Sequence, residues 1–253
     1  MKYSNMNKWL NVKIIKLKKW KNNLFSLIVR APINSFKAGQ FTKLSYINTK
    51  KKRIQRAYSF VNPPNNKNLE FYILLINQGK LTPYLYDIYN YEIFIAKNSF
   101  GFFTMEELPK KENIWMIATG TALGPYCSIL QQDNVLKKFK KIILIYAIKY
   151  SIDLNYLNIL NKIQKKYNKK IVIQIILSRE KNKKYLFGHI PDLIYSGKLE
   201  KIVQEPLNKK TSHVMLCGNP NMIKDTQKVL FSLKKMRKHF RRNPGHITSE
   251  NYW

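Results

Sequence analysis

Apolar residues in the first hundred positions come in short runs separated by turn formers. Leu24-Phe25-Ser26-Leu27-Ile28-Val29 reads as a strand that stops before Pro32. Gln40-Phe41-Thr42-Lys43-Leu44 follows Gly39, Leu69 to Ile76 is a longer apolar run broken by Glu70, and Tyr91 to Ala96 is another. Runs of this length bounded by Pro, Gly and Asn predict a small antiparallel β-barrel. Met105 to Glu112, polar and proline-bearing, reads as a connector between domains. Beyond it the rhythm changes. Ile114 to Ala118 is apolar, then comes a glycine-containing loop and a helical stretch to about Gln132. Lys141 to Ile148 has the composition of a buried strand, and Leu154, Leu157, Leu160, Ile163 and Tyr167 recur at helical spacing. Ile171 to Leu177 and Val214 to Cys217 are further strands. A short helix starts near Pro191, and Met222, Thr226, Val229 and Leu233 mark another. Strands alternating with helices predict a mostly parallel sheet with helices on both faces. The expected fold is an N-terminal antiparallel barrel followed by a parallel-sheet α/β domain.

Bulk composition agrees with two folded domains. The chain has 253 residues, 45% hydrophobic and 24% charged, which suits packed cores rather than disorder. No stretch has the apolar length of a membrane span, and Met1 to Asn5 lacks an apolar signal core, so a cytoplasmic protein without membrane insertion is expected. Two cysteines, Cys127 and Cys217, fit a reducing compartment better than a disulfide framework. The net charge of +32 changes the picture more. It invites a polyanionic partner. Its simpler source is base composition, because Lys, Asn, Ile and Tyr are all abundant and all have A/T-rich codons. Either way, a positive field speeds encounter with an acidic partner and is weakened by salt.

Three short segments carry candidate chemistry. In an α/β sheet, ligands sit where strand ends meet helix starts. Thr119-Gly120-Thr121-Ala122-Leu123-Gly124-Pro125 and Cys217-Gly218-Asn219-Pro220-Asn221-Met222 are both small-residue turns of that kind, each with a proline near the helix start. Each alone is equally compatible with tight packing. In the first half, Arg56-Ala57-Tyr58-Ser59 offers a cation for a pyrophosphate, an aromatic for a flat ring system and a hydroxyl beside it. Strand alternation puts Arg56 and Tyr58 on one face. An ordinary exposed Arg and a core Tyr would look the same in isolation. No metal-ligand spacing links His213, His239 or His246 to one another or to a cysteine pair.

Taken together, these segments resemble the ferredoxin–NADP reductase superfamily, specifically its bacterial flavodoxin/ferredoxin–NADP reductase subclass of enterobacterial type. The resemblance runs from about Trp9 to Trp253. It is carried by AGQFTKL (Ala38 to Leu44), RAYSFVN (Arg56 to Asn62), LEFY (Leu69 to Tyr72), GFF (Gly101 to Phe103), ATGTALGPY (Ala118 to Tyr126), LSRE (Leu177 to Glu180), SHVMLCGNPNMIKDTQ (Ser212 to Gln227) and the terminal PGHITSENYW (Pro244 to Trp253).

The resemblance implies an FAD-dependent oxidoreductase that passes electrons between NADP(H) and a flavodoxin or ferredoxin, with an FAD barrel over residues 1–107 and an NADP domain over 108–253. Arg56, Ala57, Tyr58 and Ser59 match the first flavin motif. Tyr72, Ile73 and Leu74 match the strand passing the flavin. Lys80, Leu81 and Thr82 match the pyrophosphate loop, and Thr121 matches a flavin contact from the second domain. Tyr252 and Trp253 match the terminal rings that cover the cofactor and gate it. Ile148, Lys149, Ser178, Arg179, His189, Asn219, Pro220, Asn221 and Asp225 match the NADP pocket. Ser59, Cys217 and Glu250 match the positions around the reacting atoms: a hydrogen bond, a packing contact and a polar or proton-relay group. Lys149 and His189 stand where the family usually has arginine. Lys149 lacks the bidentate fork, and His189 brings a full charge only when protonated, so weaker NADP affinity is expected. The basic run Arg237-Lys238-His239-Phe240-Arg241-Arg242 would belong to the docking surface for the acidic carrier, and the resemblance implies a monomer. Two alternatives remain open from the sequence. One is an NAD(P)H-dependent flavin reductase or diaphorase with another acceptor. The other is a basic nucleic-acid-binding protein, against which the aromatics fall in apolar runs rather than along a basic groove.

Overall fold

The structure is a computed structural model that describes residues 8–132 and 137–252. It divides into two units. One holds the described residues up to Thr104 together with Cys127–Gln132; the other holds Met105–Tyr126 and the described residues from 137 onward.

The first unit contains the strands β1 (Trp9–Asn11), β2 (Lys13–Lys19), β3 (Leu24–Arg30), β4 (Phe41–Ile47), β5 (Arg53–Ser59), β6 (Leu69–Leu74) and β7 (Ile93–Ala96). A short helix, α1 (Thr82–Tyr86), lies between the last two strands. One sheet runs β1-β7-β4-β5 and the other β2-β3-β6, and every pairing is antiparallel. A bridge between Phe60 and Phe71 joins the end of β5 to β6. β1 and β2 follow one another with only Val12 between, so one extended segment serves both sheets and the circuit closes as a barrel. Inward positions alternate along the strands, with Phe25, Leu27, Val29, Leu44, Phe71, Ile73 and Ile95 packed into one core. Each such side chain contributes about 1.5–3 kcal/mol by leaving water.

β2 shows why sequence pattern alone passes over part of this barrel. Its sequence is Lys-Ile-Ile-Lys-Leu-Lys-Lys, and Ile14 and Leu17, three apart, would face opposite sides of a regular strand. An irregularity in pairing between Ile14 and Lys16 shifts the phase, so both reach the core while the lysines stay in water.

The second unit contains β8 (Asn113–Thr119), α2 (Leu123–Leu130), β9 (Lys141–Ile148), α3 (Leu157–Tyr167), β10 (Ile171–Leu177), β11 (Leu186–Phe187), α4 (Ile190–Tyr195), α5 (Lys198–Val203), β12 (Ser212–Gly218), α6 (Pro220–Lys234) and β13 (Ile247–Asn251). The second half of α2, from Cys127, belongs to the first unit. The sheet order is β11-β10-β9-β8-β12-β13, and all five pairings are parallel. β8, β9 and β12 are apolar and buried almost end to end, as central strands covered on both faces must be. Trp115, Ile117, Ile143, Ile145, Val214 and Leu216 pack one face against residues of α4, α5 and α6. Tyr126 holds its hydroxyl proton between the carbonyls of Met215 (2.8 Å) and Ile117 (3.1 Å), fixing α2 to two adjacent strands.

The expected fold class is therefore what the chain adopts. The differences are local. β11, β13 and α5 are short and carry no clear apolar period. Leu154 lies before α3 rather than in it, because Tyr156 takes a left-handed conformation (φ 63°) and the helix starts only at Leu157.

Candidate functional site

A parallel sheet sends every strand's carboxyl end to the same edge. In the second unit the strand order reverses between β8 and β12, and that reversal opens the crevice where doubly wound sheets bind ligands. Two glycines stand at its mouth. Gly218 ends β12 with φ +136°, and a side chain there would begin 1.9 Å from Thr119 Oγ1. The same Thr119 hydroxyl oxygen accepts the Asn219 N–H at 2.9 Å, tying the end of β12 to the end of β8. Gly120, after β8, has φ +57°, and a side chain there would meet no atom within 4 Å. Gly218 is thus required by packing. Gly120 is required by its backbone conformation and leaves open space in front of it. Thr121, buried in the turn that leads into α2, lies next to that space in sequence. Pro125 sits in the first turn of α2, where a missing N–H costs nothing.

Asn219 caps α6. Its side-chain oxygen accepts from the backbone of Asn221 (2.9 Å) and Met222 (3.2 Å), and Pro220 follows at the helix start. Asp225 lies a turn further on and makes an exposed pair with Lys228 at 3.3 Å, which adds little to stability.

On the other side of β8 the ends of β9, β10 and β11 bring three side chains to one edge. The Ser178 N–H donates to the Ile148 carbonyl at 2.9 Å and the Arg179 N–H to the Lys149 carbonyl at 3.0 Å, so the ladder continues past the strand ends. Gly188 N–H donates to the Leu177 carbonyl at 3.0 Å, which sets His189 beside the same edge at the cap of α4. Lys149, Arg179 and His189 are all exposed. Adjacent strands are about 5 Å apart, so these basic groups line one rim.

Cys217 is fully buried, with Ala118 and Glu250 as its register partners on the two flanking strands. Burial, and secondarily the Glu250 charge, push its thiol well above the ordinary cysteine range. It is a neutral packing group rather than a thiolate. Tyr252 follows β13, and its N–H donates to the Gly218 carbonyl at 2.9 Å, so the chain's end is tied to the same crevice. Trp253 lies outside the described residues.

In the first unit, β5 places Arg56 opposite Leu44 and Tyr58 opposite Thr42. Arg56 is exposed and holds its Nη1 to the Gln55 carbonyl at 2.8 Å. Gln55, Arg56 and Ala57 form an exposed stretch in mid-strand, unusual for a barrel, and it leads to half-buried Tyr58 and buried Ser59. Burial raises the Tyr58 hydroxyl pKa and the nearby Arg56 charge opposes that rise. Ile73 points into the core, while Tyr72 and Leu74 occupy the other face of β6 beside Ser26 and Leu24. Leu81 and Thr82 are buried and Lys80 is exposed at the start of α1. The Thr82 hydroxyl closes this loop on Ile76, accepting from its N–H (3.0 Å) and donating to its carbonyl (3.1 Å).

The residues thus fall into two groups. One is the β5, β6 and α1 set of the barrel; the other is the edge of the parallel sheet. The exposed Arg56 with Tyr58 fits a group that joins an anion to a flat ring. The open Gly120 with Lys149 and Arg179 fits a phosphorylated nucleotide. Three further residues shape the second group without having been singled out for a role: Thr119 and Glu180, inside the motifs, and Ser151, outside any. Glu180 accepts from the Ser151 N–H (2.7 Å) and hydroxyl (2.8 and 2.9 Å). The residue after Ser-Arg was legible as part of LSRE, but its partner across the sheet edge was not. Among the described residues no group of three His, Cys, Asp or Glu side chains has metal-binding geometry, although the His213 and His239 rings meet edge to face at 5.6 Å.

An antiparallel barrel joined in sequence to a parallel sheet with a glycine-lined switch point is an arrangement suited to nucleotide binding at the strand ends. Comparison with known proteins agrees. The family model of the oxidoreductase NAD-binding domain matches residues 116–228. The chain is 55% identical over 249 residues to the flavodoxin/ferredoxin–NADP reductase of Buchnera aphidicola subsp. Baizongia pistaciae, covering 98% of this chain and 100% of that protein. It is 47% identical over 249 residues to the Escherichia coli (strain K12) protein of the same name, with the same coverage. A Neisseria gonorrhoeae ferredoxin–NADP+ reductase solved with bound FAD and NADP superimposes with a TM-score of 0.88 at 28% identity, covering 96% of this chain and 98% of that one. The chain belongs to the flavodoxin/ferredoxin–NADP reductase family and is an oxidoreductase. The family expected from the motifs is thereby borne out. No helix among the described residues is long and apolar enough to cross a membrane.

Proposed function

We propose that this protein is an FAD enzyme that exchanges electrons between NADP(H) and a flavodoxin or ferredoxin, acting as a cytoplasmic monomer. In this reading residues 1–107 hold the flavin and 108–253 the nucleotide. The observation that carries it is the meeting of Gly120, Lys149, Arg179, His189 and Gly218 at one sheet edge, in a chain 55% identical to a reductase of that name.

Bound flavin would supply two-electron exchange with the nucleotide and one-electron exchange with the carrier. The chain's own residues bind, orient and exclude water. Arg56 would hold the pyrophosphate of bound flavin with charge-assisted hydrogen bonds, helped by exposed Lys80 and by the backbone of Leu81 and Thr82, whose side chains are turned inward. Tyr58 would lie against the ring system of bound flavin, beside Ala57, Tyr72 and Leu74, with Ile73 contributing through its backbone because its side chain is in the core. Thr121 is the flavin contact the resemblance implies from the second domain. Ser59 offers a hydroxyl to the ring edge. Tyr252 and Trp253 would, as the family resemblance implies, supply the rings that cover bound flavin and yield to the nicotinamide. Lys149 and Arg179 take the 2′-phosphate, with His189 completing the rim, and Ile148, Ser178, Asn219, Pro220, Asn221 and Asp225 form the walls. Cys217 packs against the nicotinamide as a neutral thiol. Glu250 beside it holds or passes a proton. The excess of 46 Lys and Arg over 14 Asp and Glu supports an acidic carrier as the partner.

The test is anaerobic titration of the FAD-supplemented protein with NADPH and then NADH, followed by bleaching of the flavin band. Full bleaching with NADPH at lower concentration than with NADH is expected, and cytochrome reduction should depend on added flavodoxin. A protein that takes up no FAD would sink the reading. Equal responses to both nucleotides would remove the NADP part of it.

A further inference from the structure

We infer that Glu180 is a positioning residue for nucleotide selectivity: its carboxylate laces the loop after β10 to the loop after β9 and so fixes Arg179 beside Lys149. The inference rests on the proposal that these two cations meet the 2′-phosphate.

The ladder between β9 and β10 ends with the Arg179–Lys149 bond. Past that point the two chains have no sheet to hold them together. Ser151 turns away into the short helical turn Ser151–Asp153, and Glu180 leads into a basic loop that carries Lys181, Lys183 and Lys184. Glu180 bridges this gap. It takes both donors of Ser151, the N–H at 2.7 Å and the hydroxyl at 2.8 and 2.9 Å, and the Asn182 amide donates to its Oε1 at 3.4 Å. Asn182 in turn accepts from the Lys184 N–H at 2.9 Å, so the bridge orders the loop on both sides. The turn is closed from within by Asp153, which accepts the Tyr150 N–H at 3.2 Å. Tyr150 and Ser151, the two residues after Lys149, are thus each held by a carboxylate, and Arg179 is one residue from the bridge.

A carboxylate next to a phosphate-binding arginine is otherwise a poor choice, since it repels the ligand. The bonds from Ser151 answer the objection. They satisfy both carboxylate oxygens, turn the charge toward the β9 loop, and hold the carboxyl below its ordinary range, the backbone N–H first and the hydroxyl second. Guanidinium recognition of phosphate depends on the orientation of a planar fork, so a small displacement of Arg179 loses most of it.

Bridge and bare charge predict opposite results. Steady-state KM is measured on the flavin-loaded full chain with NADPH and with NADH, using ferricyanide as acceptor. If Glu180 positions, Glu180→Gln and Glu180→Ala raise the KM for NADPH by about tenfold and that for NADH by less than about twofold. Ser151→Ala, which removes one of the two donors and keeps the N–H, then gives a smaller rise with the same nucleotide bias. It also keeps the test decisive if Glu180→Ala fails to fold. An unchanged or lowered KM for NADPH in Glu180→Gln, or parallel changes for both nucleotides, overturns the inference. Failure of the underlying reading looks different: the unaltered protein would itself show no preference for NADPH.

Discussion

The barrel and the parallel sheet build their candidate sites in opposite ways. In the barrel, one strand carries Arg56, Ala57, Tyr58 and Ser59 in consecutive positions, and pairing with β4 presents them. In the sheet, the candidate site draws on residues from Thr119 to Tyr252 that leave the ends of separate strands. A contiguous site is sensitive to the residue it loses. A dispersed site is sensitive to the geometry that gathers it. The same contrast governs what each unit tolerates.

The largest test of that contrast is at the glycines. Gly218→Ala should destabilise the second unit by roughly 3 kcal/mol or more, because the new methyl falls within 1.9 Å of Thr119 Oγ1 at φ +136°. Gly120→Ala, with open space in front of it, should cost only about 1 kcal/mol for its left-handed backbone. Urea denaturation of the two variants measures the difference, and equal losses would mean that the strand junction yields. In the barrel, Arg56→Ala should leave the folding transition almost unmoved. It should weaken FAD binding by about 2–3 kcal/mol, roughly a hundredfold, read by flavin titration of the apoprotein.

A third test separates the units by pH. All four histidines lie in the second unit. His213 is fully buried, and burial first, then the neighbouring His239, His246 and lysine charges, push its pKa down to about 3. Its Nε2 meets Thr248 Oγ1 at 2.9 Å, and its Nδ1 has no hydrogen-bond partner among the described residues. The unfolded chain binds a proton there below about pH 6.5 and the folded one does not. Stability is therefore full above pH 6.5 and falls as pH drops toward 3, by about 2 kcal/mol at pH 5. Denaturation at pH 7 and pH 5 should show this loss in the native chain and much less of it in His213→Gln. The smallest expected effect is at the rim. His189→Arg should lower the KM for NADPH by several-fold, about 1 kcal/mol, with little change for NADH, and 0.5 M salt should shrink the gain.

Legibility followed the same division. Arg56 to Ser59 share one strand, so alternation placed Arg56 and Tyr58 on one face, but only their company with the other motifs set them apart from an ordinary exposed Arg and core Tyr. The central strands β8, β9 and β12 were legible because burial on both faces demands unbroken apolar runs. β2 was not, because its bulge breaks the alternation that identifies a strand. The Glu180–Ser151 bridge was not either: 29 residues separate two ordinary polar side chains, and only the parallel pairing of β9 with β10 brings them together.

The sequence by itself determined the fold class, the family and the kinds of group available to each site. These follow from periodicity, turn chemistry and contiguous motifs, which are local properties. Tertiary structure alone decided that Gly218 serves packing while Gly120 faces open space, that Cys217 is held as a neutral thiol beside Glu250, and that Lys149 and Arg179 are laced into one rim. Each of these depends on which strands become neighbours, and that is settled by burying apolar faces across the whole sheet rather than by any segment within it.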